Sequence, residues 1–104
     1  MQDSLFDASR YDNLEADEEN TAHFNVLLRA GAIYEERTLL RGQHWKTAPL
    51  SRHIDNIDTK VGRLKMIAEL GRSPVKADLD EALDIINYGV FCVREIERQL
   101  DVLG

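Results

Sequence analysis

The chain has 104 residues, of which 43% are hydrophobic and 31% are charged, so it can form one small folded domain and is too apolar for a disordered protein. Its 13 Lys and Arg against 19 Asp and Glu give a net charge of −6, which argues against direct binding to duplex DNA. No apolar run is long enough to span a membrane, and the acidic N-terminus lacks the apolar region of a secretory signal. With Cys92 as the only cysteine, we predict a cytoplasmic protein without a disulfide.

The charge is distributed unevenly along the chain. Residues 1–20 contain seven acidic residues and one arginine, residues 21–72 carry a net charge of +4, and residues 73–104 carry −4. We therefore predict an acidic, partly mobile N-terminal arm over residues 1–17, followed by a single helical domain over residues 18–104. The arm is either a solvated terminus or a segment that binds a protein partner. The opposite charges of the last two parts predict ion pairs or a polar cleft between them.

The first helix is predicted over residues 18–42, with Asp17 as its N-cap and Gly42 as its stop signal. Apolar residues form stripes on two sides of this helix, at 24, 27, 28, 31 and 34 and at 26, 30, 33 and 40. A helix that is apolar on two sides is packed on two sides. In a chain this short, the pattern predicts a homo-oligomer.

Two further helices complete the predicted fold. The second runs over residues 51–70, with Ser51 as its N-cap and Gly71 after its end. The third begins at Ser73-Pro74 and runs to Leu103. Its predicted buried face comprises Leu79, Leu83, Ile86, Val90, Val93, Ile96, Leu100 and Leu103. Since no segment alternates with period two, we predict an all-α fold, a small bundle of three long helices completed by dimerisation.

The third helix offers a possible site for a divalent cation. Glu81 and Asp84 are three residues apart, so both carboxylates can reach one point beside the helix. Mg²⁺ prefers oxygen ligands and is often held by one or two carboxylates. Acidic residues near a helix start are also favoured by the helix dipole, so the same residues could serve the helix alone.

Other residues have the chemistry to bind a nucleotide. Lys60 and Arg63 of the second helix could neutralise phosphate, or they could form ordinary ion pairs between helices. Trp45, in the loop before this helix, could stack on a base, or it could pack over a helix end. Cys92 has no activating neighbour in the sequence and is predicted to be buried and inert.

Several of these residues follow the pattern of a known family. The stretch from Asp58 to Leu64, which includes Lys60 and Arg63, is followed by Asp80-Glu81-Ala-Leu-Asp84-Ile-Ile-Asn87-Tyr88. Together with Gly42-Gln-His-Trp45, this pattern resembles the nucleotide-modification-associated domain of phages and bacteria. That domain is in turn similar to the MazG-like all-α nucleoside triphosphate pyrophosphatases. The resemblance covers about residues 34–97.

The resemblance implies a magnesium-dependent site built from two helices. MazG-like enzymes hold Mg²⁺ through Glu-x-x-Glu on one helix and Glu-x-x-Asp on another, and Glu81-Ala-Leu-Asp84 matches the second motif. The first motif is incomplete, because the first helix offers adjacent Glu35 and Glu36 and then Leu39 in place of a second acid. The resemblance thus implies Glu81, Asp84 and Glu36 as catalytic residues, with Glu35 as a further metal ligand. Lys60, Arg63, Asn87 and Trp45 would bind the nucleotide.

Two hypotheses follow for the function. The first is a small Mg²⁺-dependent nucleotide-binding protein or nucleoside triphosphate pyrophosphohydrolase of phage or prokaryotic type. The second is a non-catalytic helical protein-interaction module, a phage-type regulator or inhibitor that acts through an apolar helix face and the acidic arm.

Overall fold

The computed structural model describes the backbone of residues 14–103 and the side chains of residues 17–101. Within this range the chain forms α1 (Leu14–Arg41), a single 3-10 turn (His44–Thr47), α2 (Leu50–Leu70) and α3 (Lys76–Leu103). These described residues contain no β-strand, which confirms the predicted all-α bundle of three long helices. None of the helices in this range combines the length and the apolar character that a membrane crossing needs.

The ends of α1 differ in how well the sequence predicted them. The helix begins at Leu14 rather than at residue 18, because the Leu-Glu-Ala sequence that precedes Asp17 favours helix. Asp17 therefore lies inside the helix and not at its N-cap, and residues 1–13 of the predicted arm lie outside the described residues. The stop at Gly42 is confirmed: its φ is +79°, and its N–H donates to the Thr38 carbonyl at 2.9 Å.

The second helix also ends where the sequence predicts and begins slightly earlier. It starts at Leu50 with Pro49 at the N-cap position, so Ser51 lies in its first turn. At its end Gly71 has a φ of +62°, and the N–H groups of Gly71 and Arg72 both donate to the Ile67 carbonyl. The left-handed conformation of Gly71 turns the chain so that both N–H groups reach the Ile67 carbonyl near the helix end.

The third helix begins at Lys76, later than the predicted Ser73-Pro74 start. The Asp78 carboxylate accepts the Val75 backbone N–H at 2.7 Å, as the acidic residue of a capping box does. It also accepts two hydrogen bonds from the Arg72 guanidinium at 3.2 Å. These hydrogen bonds fix the start of α3 at the residue after Val75, and they hold the pKa of Asp78 below its usual value, chiefly through Arg72.

The third helix is the centre of the fold. α2 packs along α3, whereas α1 crosses α3 over a shorter stretch. At this crossing Ala30 is buried and its carbonyl accepts the Asn87 Nδ2 amide at 2.9 Å, while Arg37 pairs with Asp84. Since numbers rise along α1 as they fall along α3, the two helices run antiparallel here.

The predicted apolar faces are only partly buried within one chain. Among the hydrophobic residues that the structure describes, Ala30 and Leu83 are the buried ones, and Ile86 is half-buried. The prediction that the whole stripe of α3 is buried is therefore wrong for the single chain, because α1 covers α3 only near the crossing. The exposed members are Leu79, Val90, Val93, Ile96 and Leu100, and the Leu103 side chain lies outside the described residues. Cys92, predicted to be buried, is half-buried.

Candidate functional site

Two carboxylates of α3 meet at a single ammonium group. Lys60 Nζ of α2 lies 2.9 Å from Glu81 Oε1 and 3.0 Å from Asp84 Oδ2. The spacing of three residues brings both carboxylates to the same side of α3, as the sequence predicts. The cation on which they converge is the Lys60 side chain.

The remaining carboxylate oxygens are paired with arginines. Asp84 Oδ1 accepts a hydrogen bond from Arg37 Nη1 of α1 at 2.5 Å, and Glu81 Oε2 accepts one from Arg63 Nη1 of α2 at 2.9 Å. Arg37, Lys60, Arg63, Glu81 and Asp84 thus form an ion-pair cluster that joins all three helices. With three cations against two carboxylates, the cluster carries a formal charge of +1.

Three side chains of the ion-pair cluster are largely shielded from solvent. Asp84 is only 6% exposed, and the side chains of Lys60 and Glu81 are each 15% exposed. Partial burial by itself lowers the pKa of the Lys60 ammonium group. The hydrogen bonds to Glu81 and Asp84 outweigh this effect, so the pKa lies above its usual value. The hydrogen bonds from Arg63 and Lys60 lower the pKa of Glu81. These opposite shifts favour the charged forms of both Lys60 and Glu81 near neutral pH.

A cavity of about 190 Å³ opens beside the cluster, between α1, the 3-10 turn and α3. Aromatic rings and polar groups both line it: Tyr34, Arg37, Thr38, Arg41, Gly42, His44, Trp45, Asp84, Asn87, Tyr88 and Phe91. Arg37 and Asp84 belong to the cluster and to this lining, so the charged and aromatic parts are continuous. Asn87 lines the cavity and donates its Nδ2 amide to the Ala30 carbonyl, a contact that does not use its amide oxygen.

The aromatic wall is centred on Phe91. Trp45 stacks on Phe91, with ring centroids 4.7 Å apart and planes 4° from parallel. Tyr34 and Tyr88 meet Phe91 edge-on at 5.9 Å and 5.7 Å. Arg94 lies over the Trp45 ring, 4.5 Å from its centroid. Trp45 is therefore packed against protein groups, in agreement with the packing role considered for it, while it also lines the cavity.

The predicted metal ligands of α1 do not reach the cluster. Glu35 and Glu36 are exposed, and α1 places Arg37 against Asp84 instead. In the part of the chain that the structure describes, no three His, Cys, Asp or Glu side chains come together as a metal-binding group. Mg²⁺ needs oxygen ligands at about 2.0–2.1 Å. Because each oxygen of Glu81 and Asp84 already accepts from a cation, this arrangement does not fit Mg²⁺.

The structure adds residues that the sequence analysis did not place in the site. Arg37 is the most important of them, and Tyr34 and Phe91 supply most of the aromatic wall. The sequence positions of these three residues could have indicated that they lie beside the cluster. Tyr34 and Arg37 lie four and seven residues after Ala30, on the α1 face that meets α3, and Phe91 lies seven residues after Asp84. Which face of α1 meets α3 was not known from the sequence.

More than half of the chain matches a known protein family. A family model described as Nucleotide modification associated domain 1 matches residues 41–96. This range contains the 3-10 turn, α2 and most of α3, and with them every cluster residue except Arg37. Neither the curated proteins nor the solved structures gave a match.

Proposed function

The chain belongs to the Nucleotide modification associated domain 1 family, and on this basis we propose that it binds a nucleotide in the cavity beside the ion-pair cluster. The observation that carries the proposal is the continuity of an aromatic wall with a positively charged cluster. The aromatic wall suits a base, and the cations suit phosphate.

The size of the cavity defines which part of a nucleotide enters it. An apolar protein cavity of about 150 Å³ accommodates benzene. A cavity of about 190 Å³ therefore has room for one base-sized ring and not for a complete nucleotide. We infer that the base enters between Tyr34, Tyr88 and Phe91, and that the sugar and phosphates stay at the mouth.

Cationic side chains at the cavity supply the phosphate contacts. Arg37 donates to Asp84 through one of its five N–H groups, so it can hold this carboxylate and a phosphate at the same time. Arg41 lies one helical turn further along α1 and lines the same cavity. The cluster holds Arg37 in place, while the oxygen of Asn87 can accept a hydrogen bond from the base.

Pyrophosphate hydrolysis with Mg²⁺ is a second candidate activity, favoured by one observation. Glu81 and Asp84 converge on a single cation, as a pair of metal ligands does. The cation at that point is Lys60, so a metal could use these carboxylates only after Lys60 had left them. Nucleotide binding needs no such rearrangement, and we propose it as the primary function.

The direct test is calorimetric titration of the full chain with ribo- and deoxynucleoside mono- and triphosphates, in EDTA and in Mg²⁺. We expect binding in EDTA. Arg41→Gln removes a charged phosphate donor, and a hydrogen bond to a charged group contributes about 1.5–3 kcal/mol, so its Kd rises roughly 10- to 100-fold. Arg52→Gln is the matched control, because Arg52 is exposed on α2 and does not line the cavity.

Three outcomes of this titration would argue against nucleotide binding in this cavity or in favour of hydrolysis. If no nucleotide binds the folded protein with or without Mg²⁺, the proposal is wrong. If Arg52→Gln weakens binding as much as Arg41→Gln, the nucleotide does not use this cavity. Binding and release of pyrophosphate that both require Mg²⁺ would show that the carboxylates leave Lys60, in favour of the hydrolytic activity.

A further inference from the structure

A second cavity borders the stacked Trp45–Phe91 pair, which also lines the cavity proposed for the nucleotide base. It encloses about 280 Å³ between the 3-10 turn, α2 and α3. Its other lining residues are all polar or charged: Lys46, His53, Arg94, Glu95 and Arg98. None of these five lines the first cavity. This second cavity, which we call the His53 cavity, therefore has polar groups of its own.

A buried histidine is the most informative group in the His53 cavity. Its ring lies against Phe91, with centroids 5.4 Å apart, and the residue is 2% exposed. Its Nδ1 atom is buried, and neither ring nitrogen has a hydrogen-bond partner among the residues that the structure describes. A buried polar group without a partner is unfavourable, and a ligand or an ordered water commonly supplies the missing hydrogen bond. The His53 ring can therefore donate its N–H to an oxygen atom bound in the cavity.

Three cationic side chains line the same cavity. Lys46 comes from the 3-10 turn, and Arg94 and Arg98 come from α3. Arg94 lies over the Trp45 ring, 4.5 Å from its centroid, which places its guanidinium group beside the cavity. Within the described part of the chain, Lys46 and Arg94 form no ion pair. Both charges are therefore free to meet an anion.

The one acidic residue of the lining, Glu95, is already paired. Arg98 donates hydrogen bonds to both of its carboxylate oxygens, and Gln99 donates to Oε2 at 3.0 Å. Arg98 uses two of its five N–H groups in these contacts, so the others remain available. With three cations against one carboxylate, the lining carries a formal charge of +2.

The start of α2 adds positive potential beside the cavity. His53 lies in the first turn of this 21-residue helix, which contains no acidic side chain, and the helix start has no side-chain cap in the described part of the chain. The free N–H groups at the N-terminal end of a helix carry partial positive charge, which nearby anions stabilise. An anion beside His53 would supply this stabilisation.

We propose that the His53 cavity binds a phosphate group, as the free ion or as a monoester. A phosphate monoester carries a charge of about −1.5 to −2 at pH 7, which the formal charge of +2 in the lining balances. The guanidinium groups of Arg94 and Arg98 match its oxygen atoms, since arginine donates paired hydrogen bonds to phosphate. Lys46 adds an ammonium group, and His53 adds a ring N–H.

The size of the His53 cavity also suits this ligand. An apolar cavity of about 150 Å³ accommodates benzene, so about 280 Å³ has room for a phosphate group and the first atoms of the ester that carries it. The site is distinct from the phosphate contacts proposed for Arg37 and Arg41, which line the first cavity and not this one. It therefore does not depend on nucleotide binding in the first cavity.

Proton NMR of the histidine rings tests the proposal on the full chain. His53 lines the His53 cavity and His44 lines the first cavity, so their signals report separately on the two sites. The titrants are inorganic phosphate and methyl phosphate, with sodium chloride at equal ionic strength as the control. We expect both phosphates to shift the His53 signals in a saturable way and to leave the His44 signals nearly unchanged. His23→Gln and His44→Gln assign the signals, because both residues are exposed.

Lys46→Gln tests whether the lining of the cavity holds the anion. Lys46 is exposed and its side chain makes no contact with another described residue that the fold depends on, so the variant should fold normally. Loss of one charged hydrogen bond is expected to raise the Kd for phosphate about 10-fold. Lys65→Gln is the matched control, because it removes the same charge from an exposed position of α2 that lines neither cavity.

Four outcomes decide whether the proposal holds. If phosphate shifts the His53 signals no further than sodium chloride does, the cavity does not bind phosphate. Equal weakening by Lys46→Gln and Lys65→Gln would refute a specific site, since it shows only a general attraction to the surface. If phosphate shifts the His44 signals instead, the anion enters the first cavity, which supports the nucleotide proposal and overturns this one. Saturation with methyl phosphate but not with inorganic phosphate would support the proposal with a monoester as the ligand.

Discussion

Replacement of Asp84 by Asn tests whether the ion-pair cluster stabilises the fold. The substitution keeps the size of the side chain and removes its charge, which leaves Arg37 and Lys60 without their shared carboxylate. Loss of one partner from a buried ion pair costs about 3–5 kcal/mol. The Lys60 pair is in this class, with side chains that are 15% and 7% exposed.

The expected loss is smaller than that full value for two reasons. Arg37 is 46% exposed and can turn towards water, and the Asn oxygen still accepts one hydrogen bond. We therefore expect the free energy of unfolding to fall by about 2–3 kcal/mol. For a domain of this size, that corresponds to a Tm lower by roughly 10–20 °C.

Urea and thermal unfolding, followed by circular dichroism at 222 nm, measure this difference. Parent and variant are compared at the same protein concentration, because association would make their stability depend on it. Asp80→Asn is the matched control: Asp80 is 44% exposed, and its only ion pair among the described residues is with Lys76 at 3.5 Å. Such an exposed pair contributes about 0–1 kcal/mol to the free energy of unfolding, so Asp80→Asn should have a much smaller effect than Asp84→Asn.

Two outcomes would contradict a stabilising ion pair between Lys60 and Asp84. If Asp84→Asn and Asp80→Asn differ in unfolding free energy by less than about 0.5 kcal/mol, the buried cluster does not stabilise the fold. If Mg²⁺ raises the Tm of the parent and not that of Asp84→Asn, the carboxylates bind metal in preference to Lys60.

Two further predictions concern a helix end and an acid-dependent contact. Gly71→Ala should lower the free energy of unfolding by about 1 kcal/mol, because the φ of +62° at Gly71 disfavours a side chain. Gly62→Ala inside α2 should raise it by about 0.5–1 kcal/mol, because alanine favours helix more than glycine does. The same urea titrations measure both changes, and a gain in stability for Gly71→Ala would contradict the prediction. Hydrogen bonds to Glu95, chiefly from Arg98 and also from Gln99, lower the pKa of its carboxyl group from 4.5 to about 2. Ionised Glu95 therefore stabilises the fold above pH 4.5, and this contribution is lost as the pH falls towards 2. Glu95→Gln should therefore flatten the dependence of unfolding free energy on pH in that window, and an unchanged slope would show that the contact does not persist in solution.

Local features of the fold were predictable because they depend on neighbouring residues only. Gly42 and Gly71 end their helices since glycine accepts the left-handed conformation that the last turn requires. The convergence of Glu81 and Asp84 follows from the helical repeat in the same way. The start of α3 was less predictable, because Asp78 caps it from inside the helix through Val75, which the preceding Ser-Pro signal does not reveal.

The all-α class, the ends of α1 and α2 at glycine and the pair of carboxylates on one side of α3 all follow from sequence patterns. Packing between the helices, which the sequence does not reveal, sets three other features: the cation that these carboxylates hold, the side of α1 that meets α3, and the apolar stripes that remain exposed. These two groups of features differ in how far apart in the sequence the interacting residues lie. A helical repeat fixes where side chains lie around one axis, whereas the rotation of α1 against α3 depends on packing between residues as distant as Ala30 and Asn87. That rotation presents Arg37, rather than Glu35 or Glu36, to Asp84 and leaves the leucines of α1 exposed on the single chain.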